Sequence, residues 1–193
     1  IFTSVGKLRV LGYTKDIFGK ELINEEQILE LRPQDIVLPC CPESEDEKAD
    51  EVFMSAANFI DMLLVRFYNM KPFFNIRKRE DLLGHLVVGI APHTSAGIVS
   101  RIIGFSKTIG LFAHPMWHSA QRRDCEGDET SILFLLDALL NASREFLPAH
   151  RGSTQDAILV ISSKLVPNEI DDMAFDIDVV WKYPLELYEA AEM

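Results

Sequence analysis

Leu86-Val87-Val88-Gly89-Ile90-Ala91-Pro92-His93-Thr94-Ser95-Ala96-Gly97-Ile98-Val99-Ser100-Arg101-Ile102-Ile103-Gly104 is the stretch on which the fold turns. Its first five residues are a short apolar run containing β-branched side chains, which predicts a buried strand ended by Pro92. Thr94 or Ser95 then stands where a helix N-cap belongs, and a helix is expected from there to about Gly104. Upstream, Ile36-Val37-Leu38-Pro39 reads as a strand closed by proline, and Glu25 to Leu31 places Ile28 and Leu31 on one helical face. From Val52 to Tyr68, residues Phe53, Ala56, Ala57, Ile60, Leu63, Leu64 and Phe67 recur three and four apart, the stripe of a core helix that Pro72 stops.

Downstream, Leu111-Phe112-Ala113 reads as a second short strand before Pro115. Asp128 to Phe146 reads as a helix carrying Ile132, Leu135, Leu136, Leu139 and Leu140 and stopped by Pro148. Ala157–Ile161 and the alternating Asp176–Trp181 complete the expected strands. The mixture is α+β or α/β. Two regions follow from it: residues 1–50, a small irregular lobe ending in the acidic loop Glu43–Asp50, and residues 51–193, which hold the regular elements.

The 193 residues are 48% hydrophobic and 25% charged, which excludes disorder of the whole chain. A unit of this length buries roughly 70% of its unfolded surface, enough for a core without covalent staples. No apolar run reaches the length that spans a membrane, and Ile1-Phe2-Thr3-Ser4 carries no secretory signal, reading as the interior of a longer chain. Cys40, Cys41 and Cys125 form no disulfide framework and no Cys-x-x-Cys pair, which fits a reducing, cytoplasmic compartment. Taken globally, the net charge of −11 argues against a nucleic-acid binder, whose footprint is normally a basic patch.

That sum hides a local field. From Ala91 to Arg123 there is no Asp or Glu, while Arg101, Lys107, Arg122 and Arg123 are present with His93, His114 and His118. The sign then reverses in Arg122-Arg123-Asp124-Cys125-Glu126-Gly127-Asp128-Glu129, where four carboxylates surround one glycine. A sharp turn at Gly127 would let Glu126 and Asp128 face the same way and share a cation. Mg²⁺ takes hard oxygen ligands, commonly one or two carboxylates plus waters or substrate phosphates, and adjacent arginines would attract the polyanion. The alternative is a solvated acidic turn in which Asp128 caps the following helix. His114 and His118 are four apart, but without a Glu in the His-Glu-x-x-His slot and with only Cys125 as a nearby soft ligand a zinc site is poorly supported. No Gly-x-Ser-x-Gly, Walker or dinucleotide motif is present.

The strings Gly84–Val99, Arg101–Phe105, Ala113-His114-Pro115 through His118, Arg122-Arg123, Cys125, Gly127-Asp128-Glu129, Leu136–Asn141 and Tyr183–Glu186 resemble the large subunit of the archaeal family D DNA polymerases. The resemblance extends over nearly the whole chain and is weakest around 43–50. It implies an α+β segment of a double-psi β-barrel catalytic core with flanking helices, from a DNA-directed DNA polymerase. It also implies Mg²⁺ as cofactor, primer-template DNA and dNTP as substrates, and a small proofreading-nuclease subunit and a sliding clamp as partners. Carried over to this chain, the metal ligands are Glu126 and Asp128, with Asp124 assisting, and the phosphate-binding candidates are Arg122, Arg123, Arg101 and His93.

The family motif is Asn-Cys-Asp-Gly-Asp, so this chain departs at Asp124 and Glu126, and Gln121 stands where a Lys is common. Glu is one methylene longer than Asp, and a misplacement of about 1 Å can cost on the order of 10²-fold in rate. Two readings follow: a catalytic fragment that needs the opposing barrel in order to polymerise, or a non-catalytic nucleic-acid-binding or assembly module with a degenerate metal site. An acidic chain gains little from counterion release, so the isolated 193-residue segment is expected to bind duplex DNA weakly at physiological salt. A salt-controlled titration checks this, and submicromolar binding would contradict it.

Overall fold

A computed structural model of the chain describes residues 1–92, 94, 96–121, 129–146, 160–165 and 184–191. Along these residues run α1 (Val5–Val10), β1 (Asp35–Pro39), α2 (Ala49–Arg66), β2 (Leu86–Ile90), β3 (Ala96–Ser106), β4 (Phe112–Ala113), α3 (Pro115–Ala120), β5 (Ser131–Phe134), α4 (Asp137–Phe146), β6 (Val160–Ser162) and α5 (Leu185–Ala191). The strands form one mixed sheet in the order β4-β1-β3-β2-β5, with β6 on β3. The mixed α/β class expected from composition and periodicity is the one adopted. The strand expected at 176–181 lies outside the described residues, as do Ala157–Leu159 of the strand expected at 157–161.

β3 is the spine. Along one edge its Gly97–Arg101 pairs antiparallel with Leu86–Ile90 of β2. Its other edge is shared by β1, parallel over Arg101–Ser106, and β6, parallel over Ala96–Ile98. The helix expected from Thr94 or Ser95 to Gly104 is therefore a strand. Ile98, Ser100, Ile102, Ile103 and Phe105 are at most 1% exposed, so both faces of the segment are covered. A run apolar on both faces has no period that separates strand from helix, and the β-branched Ile98, Val99, Ile102 and Ile103 favour the strand.

A second correction concerns 128–146. Ser131–Phe134 pairs antiparallel with Val87–Ile90, and the helix begins only at Asp137. Completing the backbone hydrogen bonds of β2 outweighs the helical spacing of Ile132 and Leu135. The helical turn expected over 25–31 is absent as well. Gln27 Oε1 accepts the backbone N–H groups of Ile23 and Asn24, and Asn24 Oδ1 accepts that of Glu26, so local side-chain bonds hold a turn here instead.

α2 lies where its stripe places it, with Phe53 and Ala57 buried and Phe53 edge-on to Phe134 at 4.9 Å. It is a core helix only in its first half: Leu63 and Phe67, counted in the stripe, are exposed, as are Phe59 and Val65. Asp61 fixes the turn beyond it by accepting the N–H groups of Phe73, Phe74 and Asn75 at 2.7, 2.9 and 2.7 Å. Leu8, Leu11, Tyr13 and Leu22 from the first 38 residues share one buried cluster with Val87, Ile98 and Trp117. The N-terminal segment, residues 1–4, is held by Phe2 N–H to Phe105 O and Thr3 Oγ1 to Ile103 O. No described helix is long and apolar enough to cross a membrane.

The parallel pairing of β1 with β3 is fixed by a buried polar network. Asp35 and Arg101 are register partners, and the guanidinium donates Nε to Oδ1 at 2.8 Å and Nη2 to Oδ2 at 2.7 Å. The Tyr13 hydroxyl donates to Asp35 Oδ2 at 2.6 Å and accepts the Arg32 N–H. Hydrogen bonding to Asp35 raises the Arg101 pKa above its ordinary value, and burial followed by the Asp35 bond raises that of Tyr13. Removing the Asp35 carboxylate leaves the partly buried Arg101 guanidinium and the buried Tyr13 hydroxyl without their shared acceptor. Asp35→Ala is therefore expected to cost about 3 kcal/mol, and Phe59→Ala less than about 0.5 kcal/mol, in urea unfolding. Equal costs would contradict this assignment of the core.

Candidate functional site

The carboxylate segment lies between α3 and β5, so its placement begins with α3. His114 is the N-cap, its Nδ1 accepting the Met116 N–H at 3.1 Å, and Pro115 occupies the first helical turn, where a missing N–H costs nothing. Trp117 is fully buried and donates Nε1–H to Ser100 Oγ on β3 at 2.6 Å. Its ring lies directly over Gly89 of β2, where a Cβ would stand 2.4 Å from Trp117 Cζ2. The strand glycine is thus a docking notch for the helix. Gln121, the C-cap, is 3% exposed and reaches the same notch, and Thr130 Oγ1 donates to its Oε1 at 3.3 Å.

Asp124, Glu126 and Asp128, together with Arg122 and Arg123, lie outside the described residues, as do His93, Ser95 and Cys125. What the described residues define is where these segments leave the frame. Ile90 pairs with Ser131 on one side and Gly97 on the other, and Ala96 pairs with Val160. The end of β2 and the beginnings of β3, β5 and β6 therefore meet at one end of the sheet. Ala91 and Ala96, which flank the residues around His93, and Gln121 and Ser131, which flank the carboxylates, lie at that end.

Arg101 is elsewhere. It pairs with Leu86 at the start of β2, four residues along β3 from Gly97, or roughly 13 Å at the rise of a strand. Its guanidinium is engaged by Asp35, the structural ion pair that a lone arginine often makes.

Among the described residues, no group of three or more His, Cys, Asp or Glu is placed to hold a metal. His114 uses one ring nitrogen as a helix cap. Cys40 is buried and donates Sγ–H to Asp50 Oδ1 at 3.0 Å, and burial, then that bond, raises its pKa. Cys40 and Cys41 are free. Gly89, Trp117, Ser100 and Thr130 escaped the reading of motifs. A glycine inside an otherwise β-branched strand was the one local signal of a close approach.

The sequence places this mixed sheet among polymerase catalytic domains. The family model described as DNA polymerase II large subunit DP2, catalytic domain, matches residues 1–193, so the chain belongs to that family. It is 53% identical over 190 residues to the DNA polymerase II large subunit of Archaeoglobus fulgidus, covering 98% of this chain and 16% of the relative. The corresponding protein of Pyrococcus furiosus is also 53% identical over 190 residues, covering 98% of this chain and 14% of the relative. That of Nanoarchaeum equitans is 51% identical over 198 residues, covering 97% and 16%. The chain thus spans about one-sixth of the length of these curated relatives, and the archaeal family D resemblance seen in the sequence is borne out.

The notch gives a direct test. Gly89→Ala places a methyl group inside the Trp117 ring and is expected to cost about 2 kcal/mol through overpacking. With Trp181 replaced by Phe, the remaining indole emission is expected to shift to longer wavelength. Unchanged stability and emission would contradict the close approach.

Proposed function

We propose that this chain is the part of a DNA-directed DNA polymerase large subunit that presents the metal-binding carboxylates for transfer of a deoxynucleotide to a primer 3′-OH. The observation that supports the reading is that the described flanks of both segments, Ile90 with Gly97 and Gln121 with Ser131, stand at one end of β2 in a chain of this family. The donor chemistry fits Mg²⁺: Asp124, Glu126 and Asp128 offer hard oxygens within five residues, and Gly127 between them permits a tight turn. Bound there, Mg²⁺ would lower the pKa of the 3′-OH and neutralise charge on the α-phosphate and departing pyrophosphate.

The chain's own residues divide the remaining work. Glu126 and Asp128 hold the cation, with Asp124 assisting. Arg122 and Arg123 orient the triphosphate, for which guanidinium groups are suited by bidentate hydrogen bonding. His93 contributes from the neighbouring connection. Arg101 serves the frame through Asp35. The sheet is one part of a double-psi β-barrel core, and an opposing barrel in the remaining large-subunit sequence supplies further cationic groups. Primer-template DNA, the small proofreading-nuclease subunit and a sliding clamp are the partners of the assembled enzyme. The acidity of this segment, −11 overall, leaves the DNA channel to be built largely by those other parts.

The departures at Asp124 and Glu126 favour one second reading, a polymerase-derived binding or assembly module whose metal site has degenerated. Primer extension by the assembled two-subunit enzyme separates the two. Asp128→Ala is expected to reduce Mg²⁺-dependent extension by about 10²-fold or more, and activity unchanged by it would refute the catalytic reading. A large gain from Glu126→Asp in a weakly active enzyme would support degeneration.

A further inference from the structure

Residues 62–79, the end of α2 and the turn beyond it, hold five of the chain's 19 Lys and Arg and none of its 30 Asp and Glu. In a chain of net charge −11 this is a local reversal of sign, and it lies outside the segment assigned to the cation. Arg66, Lys71, Arg77 and Lys78 are exposed, and none of the four is within ion-pair distance of a carboxylate among the described residues. Arg79 differs: it faces Asp50 at 3.5 Å and lies over the Phe2 ring at 4.7 Å, so it belongs to the frame. Asp61 and Asp81 bracket the stretch, and its backbone engages both carboxylates. Asp61 accepts the N–H groups of 73–75, and Asp81 those of Arg77 and Lys78 at 3.0 and 3.1 Å. Glu80, exposed, follows just past the stretch.

Interleaved with those cations are rings that the core does not take. Phe67 is 76% exposed, Tyr68 57% and Phe73 71%. The backbone that carries them is nevertheless fixed. Met70 N–H reaches back to Leu64 O at 2.9 Å, and Asn69 and Asn75 take the left-handed region at φ 51° and 52°, which Asn tolerates better than most side chains. Phe74 is buried and anchors the turn, its ring 4.5 Å from that of Phe134 on β5. Phe67 and Tyr68 meet edge-on at 5.0 Å, as do Phe73 and Phe74. Rings held outward on a fixed base have little conformational freedom left to lose on binding, which is what pre-organises a contact surface.

We propose that residues 66–78 are a contact surface for single-stranded DNA, on which Phe67, Tyr68 and Phe73 stack against bases and Arg66, Lys71, Arg77 and Lys78 take the phosphates. Every base has a π-face, so stacking on exposed rings needs no particular sequence, and the strand's phosphates supply the counter-charge that the four cations lack. A duplex would use the cations alone, because its bases are already stacked on one another. A protein partner would suit the rings but not the uncompensated charge, since Lys is depleted at protein interfaces. The inference rests on reading the chain as part of a DNA polymerase, and not on which residues hold the cation. Phe134, the anchor of the turn, is three residues along β5 from Ser131 at the flank of the proposed metal site, or roughly 10 Å. The surface thus holds the strand away from the reacting atoms and takes no part in the chemistry.

The test uses the assembled two-subunit enzyme and a labelled oligothymidylate, with binding read by fluorescence anisotropy over a series of salt concentrations. Three proteins are compared: the parent, Phe67→Ala with Phe73→Ala, and Arg66→Ala with Lys71→Ala. Losing the two rings is expected to weaken binding by about tenfold or more with the salt dependence kept. Losing the two cations is expected to reduce the slope of log K against log salt by about 1.4. Ultraviolet cross-linking of the parent to a bromodeoxyuridine oligonucleotide is expected to mark a peptide within 66–78. If both double variants keep the parent's affinity and salt slope, the proposal is overturned. It is equally overturned if p-benzoylphenylalanine incorporated at position 67 cross-links to another protein segment in the DNA-free enzyme, because the face is then a protein interface. Should the ring variant not assemble, the cation variant decides, and an unchanged slope in it has the same consequence. Primer extension keeps the two readings apart: a parent enzyme that extends primers while these variants bind normally sinks this surface alone, whereas a parent that extends no primer sinks the polymerase reading.

Discussion

A single buried carboxylate, Asp35, carries the architecture. Parallel strands distant in sequence have no hairpin to set their register, and β1 and β3 are separated by more than sixty residues, as the Asp35–Arg101 pairing shows. The bidentate contact with Arg101 and the Tyr13 hydroxyl bond fix that register with direction and charge, where apolar contacts alone would tolerate slippage. Once β1 is fixed, β3 becomes the central strand, β2 lies on its other edge, and β4 and β5 close the two sides. The same contact has a functional consequence. It commits Arg101 to the frame, so the cationic work of the proposed site falls to Arg122 and Arg123.

From this frame the site is reached by close packing. Gly89 lets Trp117 and Gln121 lie directly on β2, Ser100 receives the indole N–H, and β5 completes the opposite edge. The residues that flank the acidic segment, Gln121 and Ser131, are therefore set against β2. Carboxylates that share a cation must hold their geometry to a fraction of an ångström, and the proposed site would gain from flanks fixed in this way. The net charge of −11 coexists with a sharp local contrast: residues 91–123 carry no acid, and four carboxylates follow within 124–129.

Short apolar runs closed by proline, and a stripe at helical spacing, were legible in the sequence. β1 and β2 stood out as short apolar runs bounded by proline, and the first half of α2 as a stripe at helical spacing. β3 was not, because Ile98 to Phe105 is buried on both faces and carries no period, and Thr94 and Ser95 imitate a helix cap. β5 was hidden because Ile132, Leu135 and Leu136 fit a helical stripe continued by α4, and only the unpaired edge of β2 decides against it. The carboxylate segment announced itself by charge reversal around Gly127 and by family motif. The Asp35–Arg101 and Gln121–Thr130 contacts did not, since both depend on which strands become neighbours, and no local pattern encodes that.

The central claim is that one end of this sheet gathers a metal-holding acidic segment beside the 91–95 connection. Iron-directed hydroxyl-radical cleavage tests it most directly: Fe²⁺ replaces Mg²⁺ in the assembled enzyme, peroxide and ascorbate are added, and the cut sites in the large subunit are mapped. The account predicts cuts within 122–130 and within 91–97, both suppressed by excess Mg²⁺, and none around Arg101. Cleavage confined to other parts of the chain, or cuts near Arg101 with 122–130 untouched, would contradict it.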